Sequence, residues 1–408
     1  MTGRRGDGAP ETVAVVGAGA VGLTTAAELA ERGATVTVYE RGEPGSGSSG
    51  RAAGVCYDAY AEDVDAAIGR RAVTLFRDLA STVEDDEGSF AFHDCPYVFL
   101  AREGDDRTAE AIAASVDRMR AHGVDVSTVE PGALPAPVRT DDVAVAAVAR
   151  NAGWLDPAAY VASALRRARE AGTEVRTGTP VSVDADGPGV RPGRDPGSCH
   201  GGTDGGSAAD RYDAVIVAAG AHTKRLLADA GVAIPLKPYR VQALTSATPY
   251  DGPMVFDATT DVYLRPHPTG LLAGDGTVPV EADPDDWRRE ADESFVASTR
   301  GELRHRVRHD LDVADAWAGL CTATPDGDPL VGECSPGLYV AAGWQGHGLM
   351  RAPAIGERLA RTVLGTGEGG AAGEGVPDTF APSRFEGDEE FAVVQGMTVE
   401  PPDGATGR

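Results

Sequence analysis

Three glycines near the start of the chain have the spacing of a phosphate-binding turn. They lie in the stretch Gly17-Ala18-Gly19-Ala20-Val21-Gly22. In such a turn the first glycine allows a tight bend, the second lets a pyrophosphate approach the backbone, and the third lets a helix pack closely on a strand. Glu40 follows at the distance where a carboxylate would bind the hydroxyls of an adenosine ribose, and an acid there disfavours a 2'-phosphate. The pattern predicts dinucleotide binding.

The elements that must position this motif are visible in the hydrophobic pattern. Residues 12–16 predict an apolar strand, residues 21–32 a helix and residues 34–39 a second strand, which together make a βαβ unit. Two later apolar runs, 214–219 and 338–342, are typical of buried parallel strands. The second of them leads through a glycine-rich turn into a further helix. The chain is therefore predicted to contain an α/β domain, although periodicity alone does not distinguish FAD from NAD.

The composition narrows the functional classes. The chain has 63 acidic and 37 basic residues, a formal charge of -26, so its surface repels nucleic acid and anionic lipid. Lys224 and Lys237 are the two lysines, and this preference for arginine predicts a salt-adapted protein. The five cysteines form no C-x-x-C pair, which argues against a disulfide framework or a zinc site. No run approaches the roughly 20 apolar residues of a membrane span. We expect a cytoplasmic protein that binds neither metal nor nucleic acid.

Several sequence blocks together resemble the D-amino acid oxidase superfamily of FAD enzymes, in particular its glycine oxidase and sarcosine oxidase branch. They occur in the order of that family and span almost the whole chain. The blocks are VAVVGAGAVGLTTAAELAERGATVTVYER, SSGRAAG, GWLDPAAYVASALRRAREAGTEV, YDAVIVAAGAHTKRLL, VYLRPHPTGLLAGDGT and WAGLCTATPDGDPLVGECSPGLYVAAGWQGHGLMRAPAIGERLA.

The resemblance implies a set of FAD contacts. The glycine turn would hold the pyrophosphate, Glu40 the ribose, and Val181 the adenine through its backbone. The helix that follows residue 347 would point its N-terminus at the flavin ring, where it stabilises negative charge. The remaining positions implied to lie at the cofactor are Arg41, Ser48, Ser49, Ala219, Gly220, Gly343, Gly346, His347, Gly348 and Leu349.

The resemblance also implies the chemistry. The family oxidises a C–N bond next to a carboxylate by passing hydride from carbon to the flavin, and the imine product hydrolyses in water. Tyr263 and Arg265 lie on the strand that resembles the substrate-facing strand, so they are predicted to clamp the substrate carboxylate. His347 and Arg51 are further candidates for the catalytic site. The substrate is then a small amine or amino acid, and oxygen or an electron carrier accepts the electrons.

Two positions depart from the family pattern. Cys321 stands where the glycine oxidase pattern has an arginine that holds the carboxylate. Either Arg265, Arg51 or Arg351 replaces that arginine, or the substrate is not a simple amino acid. Gly319 stands where the sarcosine oxidase branch attaches its flavin to a cysteine, so the FAD is expected to be non-covalent. No lysine follows Lys237, which favours a dehydrogenase over an oxidase.

The predicted architecture is an FAD-binding Rossmann-like domain with a smaller antiparallel-sheet substrate domain. Three separated segments, 11–90, 150–235 and 318–395, are assigned to the first, and segments 91–149 and 236–317 to the second. Residues 184–210 are predicted to form a flexible insertion and residues 396–408 a mobile tail. Two alternative functions stay open, which are an FAD-dependent dehydrogenase of 2-hydroxy acids or polyols and a flavin-binding protein without turnover. The oligomeric state is not predicted.

Overall fold

The computed structural model describes residues 8–81, 90–184, 187–193, 209–274, 277–308, 312–367 and 374–394. Within these ranges the chain forms a largely parallel sheet covered by helices, next to a larger and mostly antiparallel sheet. The predicted α/β class, with a second antiparallel sheet, is confirmed. The expected tail, 396–408, and most of the expected insertion, 184–210, lie outside the described residues.

The parallel sheet is built from short strands rich in valine and alanine, and most of its strands are buried on both faces. From one edge to the other its strands are β20 (Leu330–Ser335), β21 (Leu338–Ala342), β13 (Ala214–Val217), β1 (Thr12–Val16), β2 (Thr35–Tyr39) and β9 (Glu174–Arg176). All neighbours pair in parallel except β20 and β21. The carboxyl ends of β1, β2, β13 and β21 therefore meet at one edge of the sheet.

The helices bury apolar stripes against these sheets. Their bounds are α1 (Ala20–Glu31), α2 (Asp63–Ser81), α3 (Asp106–Ala121), α4 (Pro157–Glu170), α5 (Thr223–Asp229), α6 (Glu293–Val307) and α7 (Gly348–Val363). Helix α1 is buried along almost its whole length and shares one apolar core with α4 and α7. Helix α4 is capped at its start, because the Asp156 side chain accepts hydrogen bonds from the N–H groups of Ala158 and Ala159. No helix in the described part of the chain is long and apolar enough to cross a membrane.

The larger sheet carries the predicted substrate-facing strand. In order its strands are β18 (Val278–Glu281), β14 (Lys237–Ser246), β17 (Gly270–Gly274), β16 (Val262–His267), β15 (Met254–Asp257), β5 (Tyr97–Arg102), β7 (Val143–Ala149) and β6 (Val126–Val129), and β19 (Val313–Ala323) pairs with β14. One face packs on α6 through residues such as Val98 and Leu264. The opposite face, which includes Tyr97 and Phe256, joins the core of the parallel-sheet domain.

Two small sheets complete the described structure. One consists of β10 (Val181–Asp184), β11 (Gly189–Pro192) and β12 (Asp210–Arg211), so the described part of the expected insertion includes a strand. The other consists of β3 (Val55–Tyr57), β8 (Ala152–Trp154) and β4 (His93–Asp94). It places Tyr57 beside Tyr97 and Phe99 of β5, and Trp154 beside Arg265 of β16.

Two expected boundaries differ from the observed elements. The pattern over 285–310 predicts one helix, but α6 begins only at Glu293. The preceding residues stay extended because the Gln242 side chain accepts the N–H of Asp292 at 2.6 Å and Arg240 binds the Asp292 carboxylate at 2.8 Å. The expected domain boundary at residue 318 falls inside β19, which pairs along its length with β14.

Candidate active site

The loops that follow four parallel strands bring the predicted cofactor residues to one edge of the sheet. The glycine turn follows β1, Glu40 follows β2, Ala219 and Gly220 follow β13, and Gly343 follows β21. Ligands of open α/β sheets bind at the carboxyl ends of the strands. The fold therefore assembles, from four distant stretches of sequence, the kind of edge at which a dinucleotide binds.

The glycine turn is closely packed where the motif requires glycine. Gly17 has φ +111°, and a Cβ there would come within 2.5 Å of the Ala218 carbonyl oxygen. A Cβ on Gly22 would clash with the carbonyl oxygen of Gly17, so α1 could not pack against the turn. A Cβ on Gly19, the N-cap residue of α1, would meet only the Ser49 hydroxyl, at 3.1 Å. The backbone at Gly19 is thus the most accessible part of the turn.

Glu40 organises the neighbouring loops. One carboxylate oxygen accepts the N–H of Ala18 at 2.9 Å, and the other accepts the N–H of Gly42 at 2.8 Å. The Glu40 carbonyl accepts the N–H of Thr179 at 2.8 Å, which brings the start of β10 and hence Val181 toward the same edge. The residues predicted to contact the adenosine part of the cofactor therefore lie near one another at the same edge of the parallel sheet.

The loop after β2 connects the two domains. The Ser49 hydroxyl accepts the N–H of Ala20 at 2.9 Å, and the Ser48 hydroxyl donates to the Leu320 carbonyl of β19 at 2.6 Å. Arg41 is exposed and forms an ion pair with Asp285 at 3.3 Å. Ser48 and Ser49 thus lie between the glycine turn and the substrate sheet, whereas Arg41 lies at the outer surface.

The turn before α7 has an unusual backbone held by one threonine. Gly343, Gln345 and Gly346 have φ values of +81°, +48° and +87°. The Thr322 hydroxyl accepts the N–H groups of Gly343 and Trp344 at 3.2 and 3.3 Å, and the Thr322 carbonyl accepts the N–H of Gln345 at 2.9 Å. A left-handed conformation is strained for glutamine and persists only because these bonds fix it. The turn is therefore preorganised, and α7 begins immediately after it.

These features fit a bound FAD. Neither α1 nor α7 has an acidic residue in its first turn, and neither N-cap residue caps its helix with its own side chain, so both N-termini suit negatively charged groups. The side chain of Gln345 is buried, and its Oε1 has no hydrogen-bond partner among the described residues. Gly17, Gly19 and Gly22 would hold the pyrophosphate, Glu40 the ribose, and the turn before α7 the flavin ring. FAD would supply a two-electron acceptor at this place.

His347 is a buried neutral histidine. Its Nε2 lies 3.5 Å from the Tyr57 hydroxyl, and its ring contacts the edge of Tyr60. Burial, assisted by the nearby Arg351 guanidinium, lowers its pKa to about 3. The imidazole is therefore uncharged at neutral pH, so positive charge in this region resides on Arg351.

This pKa predicts a pH effect on stability. Below the unfolded-state pKa of 6.5 the unfolded chain binds a proton at His347 that the folded chain excludes, so stability falls with pH down to about 3. Between pH 7 and pH 5 we expect the wild type to lose about 2 kcal/mol more than a His347→Asn variant. Urea unfolding of both proteins at the two pH values measures the difference. Equal losses would mean that the imidazole is protonated in the folded state.

The three arginines considered as carboxylate clamps already have partners. Arg265 is buried, stacks 4.8 Å from the Trp154 ring, and donates to the carbonyls of Ala53 at 2.5 Å and Pro266 at 2.6 Å. Burial lowers the pKa of Arg265 to about 10. A carboxylate clamp by Arg265 would have to replace these contacts, of which the bond to Ala53 holds β16 to the loop after β2.

Arg351 and Arg51 also contact other groups of the protein, Arg351 through a buried ion pair and Arg51 through a long hydrogen bond. Arg351 is buried, forms an ion pair with Asp65 at 2.7 Å, and lies 4.6 Å from the Tyr60 ring centre. Arg51 is half-buried and donates to the Ala318 carbonyl at 3.4 Å, with its guanidinium 5.8 Å from the centre of the Trp287 ring. Of the three, Arg51 has the weakest attachments.

The structure adds residues that the sequence analysis did not single out. Tyr57, Tyr60, Tyr97 and Phe99 form a buried aromatic cluster against His347, with the ring centres of Tyr57 and Tyr97 5.2 Å apart. Tyr97 and Phe99 are two positions apart on β5, so the sequence indicates that they share a face of the sheet. It does not indicate which part of the protein that face contacts. Among the described residues, no group of three His, Cys, Asp or Glu side chains could hold a metal ion.

Comparison with known proteins places these features in a family. A family model described as FAD dependent oxidoreductase matches residues 12–362. Among characterised proteins, glycine oxidase of Bacillus licheniformis is 27% identical over 370 residues, which cover 86% of this chain and 92% of that protein. The bifunctional tRNA-modifying protein MnmC of Maricaulis maris is also 27% identical, over 91% of this chain but only 55% of its own length.

Solved structures share the fold. Glycine oxidase from Geobacillus kaustophilus superposes with a TM-score of 0.79 at 22% identity, covering 93% of this chain and 99% of that chain. L-proline dehydrogenase from P. horikoshii superposes with a TM-score of 0.77 at 24% identity, covering 92% and 98% respectively. These similarities extend across both sheets.

Proposed function

The chain belongs to the FAD-dependent oxidoreductase family, and we propose that it oxidises the C–N bond of an amino acid or a secondary amine. Bound FAD would accept a hydride from the substrate carbon while the substrate nitrogen loses a proton, so that a C=N bond forms as the flavin is reduced. Water then adds to the imine, and a carbonyl compound and ammonia or an amine are released. Oxygen or an electron carrier reoxidises the FAD.

The observation that carries this proposal is the contact between two parts of the fold. The turn before α7, residues 343–347, which we call the flavin turn, lies against the larger sheet, which we call the substrate sheet. A Cβ on Gly346 would lie 3.8 Å from the Cys321 sulfur, and the Ser48 hydroxyl is bonded to Leu320. Cys321, Gly319 and Tyr263 lie on the sheet face that meets the parallel-sheet domain, because their registers place them on the same side of β19 and β16. A small molecule bound where the turn before α7 meets this sheet face would touch both the flavin and the substrate strands.

Specific residues are proposed for specific roles. The glycine turn, Glu40 and the residues at the edge of the parallel sheet hold the FAD, and Tyr263 and Arg51 position the substrate. Arg265 supports the site by holding β16 to the loop after β2. FAD is proposed to bind without a covalent bond, since Gly319 has no side chain and a Cβ there would already lie 3.4 Å from Arg51.

The test is an anaerobic titration of the purified yellow protein in concentrated salt, with the oxidised flavin absorbance as readout. The additions are glycine, sarcosine, the proline enantiomers and D-amino acids, followed by lactate and glycerol 3-phosphate as C–O substrates. Bleaching by an amine with release of ammonia or a free amine is the expected result, and readmission of air then separates an oxidase from a dehydrogenase. Bleaching by the hydroxy compounds alone would replace the proposal with C–O oxidation. A flavin that no compound bleaches would favour a binding protein without turnover.

A further inference from the structure

The face of the larger sheet that meets the flavin turn is lined by aromatic side chains. Cross-strand registers place Phe99, Phe256 and Tyr263 in one row across three neighbouring strands. Tyr97 lies one step further along β5 and packs on Tyr57, which contacts His347 in turn. We call Tyr57, Tyr97, Phe99 and Tyr263 the aromatic box. Its surface favours apolar groups and, through the ring faces, cationic amines.

The Tyr97 hydroxyl has no hydrogen-bond partner among the residues that the structure describes. Tyr97 is fully buried, and its phenol oxygen accepts or donates no hydrogen bond within the described part of the chain. Burial raises the pKa of Tyr97 well above its usual value, so the group is a neutral phenol. An unsatisfied buried hydroxyl destabilises the free protein, and such a group calls for a partner such as a water, an ion or a ligand. An N–H of a bound amine would satisfy this oxygen.

Two of the three candidate arginines are not free to hold a carboxylate, which leaves the weakly attached Arg51 as the remaining one. Arg265 and Arg351 are buried with partners, as described above, and Cys321 occupies the position of the family's clamp. Burial raises the pKa of the Cys321 thiol to about 12, so it carries no charge either. The formal charge of -26 further attracts cationic amines in preference to anions.

We propose that the substrate is an amine with an apolar or aromatic substituent that lies in the aromatic box, and that its recognition does not require a carboxylate. The Tyr97 oxygen accepts an N–H of the amine, and Tyr57, Phe99 and Tyr263 surround the substituent. This inference rests on the proposed function, since it names the substrate class for the same oxidation of a C–N bond by FAD.

A matched pair of compounds tests the inference. N-methylphenethylamine and N-methylphenylalanine differ only in the carboxylate, and sarcosine keeps the carboxylate but lacks the ring. Anaerobic rapid mixing gives a dissociation constant for each from the concentration dependence of flavin reduction. We expect the amine to bind within about threefold of N-methylphenylalanine and at least about tenfold more tightly than sarcosine, because the phenyl ring is buried.

The outcomes separate this inference from the proposed function. If N-methylphenylalanine or sarcosine bleaches the flavin and N-methylphenethylamine does not, or binds more than tenfold more weakly than N-methylphenylalanine, the inference is wrong while the proposed function stands. If neither these compounds nor the amines and amino acids of the earlier titration bleach the flavin, the proposed function fails and the inference fails with it.

Two tyrosine variants test the role of the Tyr97 hydroxyl. Tyr160 of α4 is equally buried, but its hydroxyl bonds to Thr24 of α1 at 2.8 Å. Tyr97→Phe is expected to leave thermal stability unchanged or raised and to weaken binding of N-methylphenethylamine about tenfold. Tyr160→Phe is expected to lower thermal stability and to leave that binding unchanged. Unaltered affinity in a folded, FAD-loaded Tyr97→Phe variant would overturn the assignment of the hydroxyl.

Discussion

Replacing Arg351 by methionine is expected to lower the free energy of unfolding by about 3–5 kcal/mol. Arg351 on α7 forms an ion pair with Asp65 on α2, and the side chains of both residues are about nine-tenths buried. Although burial disfavours the charged form of Arg351, Asp65 and Tyr60 keep its pKa above the usual value. The variant leaves the Asp65 carboxylate buried without its cation and also removes the stacking on Tyr60. Urea unfolding of the FAD-loaded protein measures the loss.

Two further variants identify the cause of that loss. The double variant Asp65→Asn, Arg351→Met should recover more than half of it, because no uncompensated charge is then buried. Arg150 and Asp125 form an exposed ion pair at 3.2 Å, so Arg150→Met should cost no more than about 1 kcal/mol. If Arg351→Met proves as mild as Arg150→Met, the Asp65 pair does not hold α2 against α7.

The candidate cofactor residues at the carboxyl edge of the parallel sheet were easier to predict from the sequence than the candidate substrate residues on the larger sheet. Gly17, Gly19 and Gly22 are close in the chain, and the conformation that they require is local to one turn. Glu40 is the residue immediately after β2, so the strand pattern alone places it at the edge. Each of these positions could be predicted from a single strand, because a residue that directly follows a parallel strand lies at the carboxyl edge of the sheet.

The substrate side depends on registers between distant strands. Phe99, Phe256 and Tyr263 lie in one row only because β5, β15 and β16 pair with specific alignments, and a shift of one residue would reverse each face. The partners of Arg265 and Arg351 also come from remote segments, which is why spacing along the chain suggested free guanidinium groups. The structure instead bonds Arg265 to the Ala53 carbonyl in the loop after β2 and packs aromatic side chains where the larger sheet meets the parallel-sheet domain.

The start of α6 was mispredicted for a related reason. Residues 285–292 have a helical pattern, but their backbone and side chains bind Gln242 and Arg240 of β14 and Arg225 of α5. Tertiary contacts outweigh a weak local preference in such a segment. The same segment carries Trp287 beside Arg51, so its extended form contributes to the surroundings of the proposed site.

The largest effect on cofactor binding is expected from Gly22→Ala. The added methyl group would overlap the carbonyl oxygen of Gly17, so either α1 moves away from β1 or the glycine turn opens. Overpacking of this kind costs about 1–3 kcal/mol, which corresponds to FAD affinity about 5- to 150-fold lower if the strain falls on the bound form. The ratio of flavin to protein absorbance after purification, and titration of the apoprotein with FAD, measure the change.

Gly301→Ala is the matched control for this prediction. Gly301 lies in α6, is exposed, and has no atom within 4 Å of an added Cβ. Because glycine weakens a helix interior, alanine there should retain FAD fully and raise the free energy of unfolding by about 0.5–1 kcal/mol. A Gly22→Ala protein that purifies with as much FAD as the Gly301→Ala protein would show that the glycine turn does not hold the pyrophosphate. Loss of FAD in the first variant alone would connect cofactor binding to the close contact between Gly22 and Gly17, because the two substitutions add the same methyl group.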